Sequence, residues 1–181
     1  SGSYEELCRR ADADPAWFWE TMVRYSGFRF RKPYSQVLDL SGGLESPVWC
    51  KGATANMTET CLERNLDSGR GSQPAIIWQG EDGVERSWTY AEMVAETDRI
   101  AAALDSLGIG EGDVVAIYMP LMPEAAAALF AVARLGAILL PLFSGFGPEP
   151  IIARLEDADA KAVITVDGTF RRGRRIAMKP I

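Results

Sequence analysis

Histidine is absent from all 181 residues. Without an imidazole, this chain can hold no His-based catalytic triad and no His-ligated metal. Cysteine is scarce: Cys8, Cys50 and Cys61 are odd in number and form no Cys-x-x-Cys pair. A complete set of intrachain disulfides is therefore impossible, and free thiols in a reducing cytoplasm are expected. Long apolar runs are lacking too. The most apolar window, 125–143, is broken by Arg134, Gly136 and Pro141, so it divides into a helix and a strand rather than forming a bilayer span. The N-terminus is polar and has no apolar core segment, so no secretory leader is expected. Ser1-Gly2-Ser3 has the composition of a cloning remnant and is set aside. A net charge of −6 argues against a general nucleic-acid binder.

What is present is enough apolar material, 48% of residues, for a soluble globular core. Residues 1–73 read as a helical, loop-rich N-terminal segment. Tyr4 to Ala11 is one helix candidate, and Asp14-Pro15 opens a second with proline at its first position. Residues 26–52 read as irregular, and Thr54 to Leu66 as a further helix. From residue 74 the pattern sharpens into an α/β subdomain, 74–181. Ala75–Trp78 and Glu85–Trp88 flank Gly80-Glu81-Asp82-Gly83, a hairpin signal. Thr89-Tyr90-Ala91-Glu92 is a capping box. It opens a helix with Met93, Thr97, Ile100, Leu104 and Leu107 on one stripe, closed by Gly108. Three apolar strands follow, Val114–Met119, Ile138–Phe143 and Lys161–Val166. Between them lie a helix from Pro123 to Leu135 and one from Pro148 that turns Ile151, Ile152, Leu155 and Ala158 inward. The expected fold class is α/β, a parallel-strand-containing sheet with helices on both faces.

Two features stand out chemically. Residues 171–181 hold Arg171, Arg172, Arg174, Arg175 and Lys179 and no acid, so cations are concentrated just after the last strand. Guanidiniums present forked donors suited to phosphate oxygens, although a solvated basic turn or tail would have the same composition. The second is the loop Phe143-Ser144-Gly145-Phe146-Gly147, which follows a buried strand. Its glycines allow close approach of a ligand, or simply make a βα turn. Gly108–Gly112 precedes a strand rather than opening a helix, so it reads as a plain turn. Glu45, Glu124 and Asp167 have no evident partner in sequence.

Several runs carry a family resemblance. Ser87-Trp88-Thr89-Tyr90-Ala91-Glu92-Met93 resembles the opening motif of adenylate-forming enzymes. Gly112-Asp113-Val114-Val115-Ala116-Ile117-Tyr118-Met119-Pro120 with Pro123-Glu124, then Ala133-Arg134-Leu135-Gly136-Ala137, are similar to the segments that follow it. Phe143-x-Gly145-Phe146, Ile164-Thr165-x-Asp167 and Arg171-x-Gly173-Arg174 resemble the acetyl-CoA synthetase branch of AMP-forming acyl-CoA synthetases. Pro15-x-x-Phe18-Trp19, Trp49, Asn56 and Asn65 resemble that branch's N-terminal region.

The resemblance implies part of the large N-terminal domain of an adenylate-forming enzyme. It implies coenzyme A binding at Arg171, Arg172, Gly173 and Arg174, with Gly145 near the route of the pantetheine arm. It further implies a parent ligase that uses ATP, Mg²⁺ and coenzyme A to activate a short-chain carboxylate such as acetate or propionate. No ATP-binding, metal or catalytic residue is expected within this chain, because the family's phosphate loop, ribose-binding acid, hinge and catalytic lysine would lie beyond Ile181. The fragment alone is thus expected to be inactive. A stand-alone module for coenzyme A or another phosphorylated ligand, or a catalytically silent interaction domain, are the alternatives. No membrane or nucleic-acid partner is expected, and oligomerisation is left open.

Overall fold

The computed structural model describes residues 2–179, which divide into two compact units, Ser1–Thr60 and Cys61–Ile181. The first unit begins with helices α1 (Tyr4–Ala13) and α2 (Pro15–Ser26). Ser3, set aside on composition, is the N-cap of α1, its hydroxyl accepting from the Glu6 N–H at 3.3 Å. Asp14 caps α2 through the Trp17 N–H at 2.9 Å, and Pro15 occupies the first turn, where no N–H is needed.

Residues 26–52 are not wholly irregular. β1 (Gln36–Asp39) and β2 (Val48–Lys51) form an antiparallel pair that buries Val37 and Leu38. Each strand is only four residues long, and the Ser41-Gly42-Gly43 and Ser46-Pro47 breakers between them dominate the sequence signal. The helix expected from Thr54 also starts later. Thr54 bridges Lys32 in extended conformation. The Asn56 side-chain oxygen then accepts from both the N–H (3.1 Å) and the hydroxyl (2.9 Å) of Thr58, an arrangement that opens a helix. The helical segment contains a wide π-turn, Glu59–Glu63, and ends in α3 (Arg64–Asp67).

In the second unit, β3 (Pro74–Gln79) and β4 (Glu85–Thr89) make the expected antiparallel hairpin. The capping box at Thr89 and Glu92 is formed in both directions and starts α4 (Tyr90–Ser106). There follow β5 (Val114–Tyr118), α5 (Pro123–Arg134), β6 (Ile138–Pro141), α6 (Pro148–Asp157) and β7 (Ala162–Thr165). A final hairpin, β8 (Gly168–Arg171) and β9 (Arg174–Ala177), ends the described fold.

The three parallel strands lie in the order β6-β5-β7, with helices on both faces as the apolar runs implied. Val115 packs with Leu104, Ile109 and Val132 on the α4/α5 side. Ala116 and Tyr118, one residue out of phase, pack with Leu142, Ile151 and Met178 on the α6 side. That alternation is the period of two expected for a strand buried on both faces.

Two expected inward positions, Leu107 and Ile152, point out instead, and Ile138, Phe143 and Val163 of the apolar strands are exposed as well. Leu107 is 75% exposed. Gly108, at φ +82°, closes α4 with paired bonds from Gly108 N–H to Asp105 O and from Ile109 N–H to Leu104 O, so Ile109 rather than Leu107 makes the apolar contact with Leu104. Ile152 is 52% exposed because Ile151 and Leu155 carry the buried face of the short helix α6. Phe143 is 58% exposed. Strand β6 ends at Pro141, which has no N–H to extend the ladder, and after Leu142 the chain leaves the sheet.

Candidate functional site

The strand order β6-β5-β7 contains a reversal. From β5 the chain runs to β6 on one side, then crosses to β7 on the other, so the connections diverge between the C-terminal ends of β5 and β7. A crevice at such a switch point is where open α/β sheets bind ligands. A cleft of about 450 Å³ lies there. Pro120, Leu121 and Met122 after β5, Phe143 and Ser144 after β6, and Gly168–Arg171 after β7 line it, and the β3–β4 turn Gly80-Glu81-Asp82 closes one side. Trp78 holds that wall in position, its indole N–H donating to the Leu121 carbonyl at 2.6 Å.

The arginine cluster is a β-hairpin tip. Arg172 and Gly173 occupy the turn at φ +52° and +72°, the left-handed pair that a two-residue hairpin requires. Arg171 and Arg174 face each other across the ladder, so their side chains leave the same face. Gly168, which begins β8, lies so close to the opposite strand that a Cβ there would sit 2.6 Å from the Ile176 carbonyl oxygen. The hairpin's base is therefore fixed by backbone packing. Among the described residues, none of the guanidiniums of Arg171, Arg172, Arg174 and Arg175 is drawn into an ion pair. Their charge remains free to meet an anion.

Arg171 is the one of the four that turns into the cleft, and it meets the glycine loop there. Its guanidinium lies 5.6 Å from the Phe143 ring centroid. A Cβ on Gly145 would come within 2.7 Å of Arg171 Nη1 and 2.6 Å of Phe143 Cε1, so only glycine leaves room for that arrangement. Phe143 packs edge-to-face on Phe146 at 5.5 Å, and Arg154 lies 4.5 Å over the other ring. The fold thus brings Gly145 and Arg171, 26 positions apart in the chain, into contact. Arg172, Gly173 and Arg174 sit at the exposed tip of the hairpin.

Trp78 and the Glu81-Asp82 turn were not legible as site residues, and Phe143 was legible only as the first residue of the glycine loop. Pro141 is the one sequence signal that could have released Phe143 from the strand. Glu124, which lacks a partner in sequence, is held by both terminal nitrogens of Arg86, a partner 38 positions away on β4. No group of three or more potential metal ligands occurs among the described residues, and none of their helices is long and apolar enough to cross a membrane.

The family model described as AMP-binding enzyme matches residues 62–179. The chain belongs to the AMP-binding enzyme family. A second model, the acetyl-coenzyme A synthetase N-terminus, matches residues 4–61 of this family member. Acetyl-coenzyme A synthetase of Mycolicibacterium smegmatis is 42% identical over 177 residues, covering 96% of this chain and 18% of that relative. The Streptomyces coelicolor enzyme of the same name is 40% identical over 175 residues, covering 97% of this chain and 26% of the relative. A solved structure, acetoacetyl-CoA synthetase from Streptomyces lividans, superimposes with a TM-score of 0.87 at 28% identity, over 99% of this chain and 27% of that one. The chain therefore spans about a quarter or less of the length of the relatives it matches, and it is an acetyl-CoA synthetase-like member of the AMP-binding family.

Proposed function

We propose that this chain is the N-terminal part of an AMP-forming acyl-CoA ligase and that its β8–β9 hairpin holds the phosphates of coenzyme A. The parent protein would activate a short-chain carboxylate, acetate- or propionate-like, with ATP and Mg²⁺. The carboxylate attacks the α-phosphate and releases pyrophosphate, and the coenzyme A thiol then displaces AMP. The residues assigned here are Arg171 and Arg174, with Arg172 and Gly173 forming the turn between them and Gly145 beneath the Arg171 guanidinium. No catalytic, ATP-binding or metal-binding role falls to the residues of this chain; the 181-residue polypeptide alone is expected to be inactive, and the parent protein is expected in the cytoplasm.

The observation that carries this reading is the Arg171 guanidinium seated on Gly145 at the sheet's switch point. An unpaired cation there, above a backbone without a Cβ, suits a phosphorylated ligand with a thin arm. The test is charge reversal in the natural polypeptide that carries this chain. Arg171→Glu with Arg174→Glu should raise the KM for coenzyme A on the order of 100-fold, the loss of two charged hydrogen-bonding groups. An unchanged KM would remove the assignment. Assayed by itself, the 181-residue chain should release no pyrophosphate from ATP and acetate, and release above background would refute its inactivity.

A further inference from the structure

Tyr118, the last residue of β5, is 4% exposed and packs with Ala116, Leu142, Ile151 and Met178. Leu140, Phe146, Leu155 and Val166 pack against the same cluster, so its phenol lies among apolar side chains. A phenylalanine would fill the same space. A buried hydroxyl is unfavourable unless it finds a partner, and this one finds two. It donates to the Phe146 carbonyl at 3.0 Å, with the Ser144 carbonyl at 3.4 Å as a second acceptor.

Those two carbonyls bracket Gly145. The same short loop is closed by the Phe146 N–H donating to the Phe143 carbonyl at 2.9 Å. Its rings form the stack Phe146, Phe143, Arg171 described above. One buried hydroxyl on the central strand therefore fixes the backbone on which the Arg171 guanidinium sits. Ring packing alone would hold Phe146 in the core, but it would leave the carbonyls on either side of Gly145 free to rotate.

We propose that Tyr118 is a positioning residue for the coenzyme A site: its hydroxyl fixes the Ser144–Phe146 backbone, and through Gly145 and Phe143 it sets where Arg171 presents its charge. This rests on the reading of Arg171 as a ligand to coenzyme A, and the experiment separates the two. In the natural polypeptide carrying this chain, Tyr118→Phe should raise the KM for coenzyme A about five- to tenfold, the equivalent of one buried hydrogen bond. The rise should exceed any change in carboxylate-dependent ATP–pyrophosphate exchange, a step that needs no coenzyme A.

A double-mutant cycle tests the route. In an Arg171→Ala background, Tyr118→Phe should add less than about twofold, because the group it positions is gone. An equal rise in both backgrounds, or none in the parent, overturns the role of Tyr118. If Arg171→Ala itself leaves the KM unchanged, the coenzyme A reading fails first and the inference falls with it. Gly145→Ala, at an exposed loop position, tests the last step of the route separately, because its methyl displaces Nη1 directly.

Discussion

Asp39 is buried on β1 beside Lys51, its cross-hairpin partner in charge, with Lys51 Nζ 2.5 Å from one carboxylate oxygen and the Ser41 N–H 2.9 Å from the other. The Lys51 hydrogen bond, then that of Ser41, holds the Asp39 carboxyl well below the ordinary carboxylate range. A folded-state value lowered in this way stabilises the unit above the unfolded value, and the contribution is lost as pH falls through that range. Lys51→Met should therefore lower the urea midpoint at pH 7, with the gap to the parent closing below about pH 4. A gap that persists undiminished at low pH would mean that packing, not charge, carries the effect. Other residues behave oppositely. Burial, then the Glu20 charge, pushes the Cys50 thiol up, which leaves it the less reactive form of a half-buried group.

At the scale of elements, caps and strand ends decide the geometry of the site. The Thr89 box begins α4, whose buried residues Met93, Thr97, Ala101 and Leu104 support the sheet from one side. Thr89→Ala should cost about 1 kcal/mol in chemical denaturation, and a change within error would mean that tertiary packing alone sets the start of α4. Helix C-termini were legible for the same local reason. Gly108 and Gly136 stand at φ +82° and +72°, and each is the left-handed residue that ends its helix. The two elements misread, the β1–β2 pair and the start of the third helical segment, depend on bonds between distant segments such as Lys32–Thr54. Propensity over a short window does not contain them.

Across the whole molecule, apolar surface remains uncovered beside the cleft. Leu121 is 92% exposed, and with Ile77, Met119 and Leu129 it borders a second, almost wholly apolar cavity of about 420 Å³ between the β3–β4 hairpin and α5. Contiguous exposed apolar surface of this kind promotes association in water. In the 181-residue chain, Leu121→Ser should reduce binding of an apolar dye and leave the melting temperature within about 2 °C, since a side chain already in water has little burial to lose. A large drop in melting temperature would mean that Leu121 is covered in solution.

The alternation of elements from residue 74 onward, the burial of both faces of β5, the helix ends and the clustering of four arginines are written in the amino-acid order alone. These follow from chemistry within a few positions: side-chain period, capping groups and glycine at positive φ. Its motifs also fixed the family. Folding alone places Gly145 beneath Arg171, takes Phe143 out of the sheet to stack on that guanidinium, gives Glu124 to Arg86, and lets the Tyr118 hydroxyl reach past its own strand to the loop. Each of these joins segments 25 or more positions apart. Such contacts depend on the strand order β6-β5-β7, which sets the loops after β5, β6 and β7 side by side, and no local pattern encodes that order.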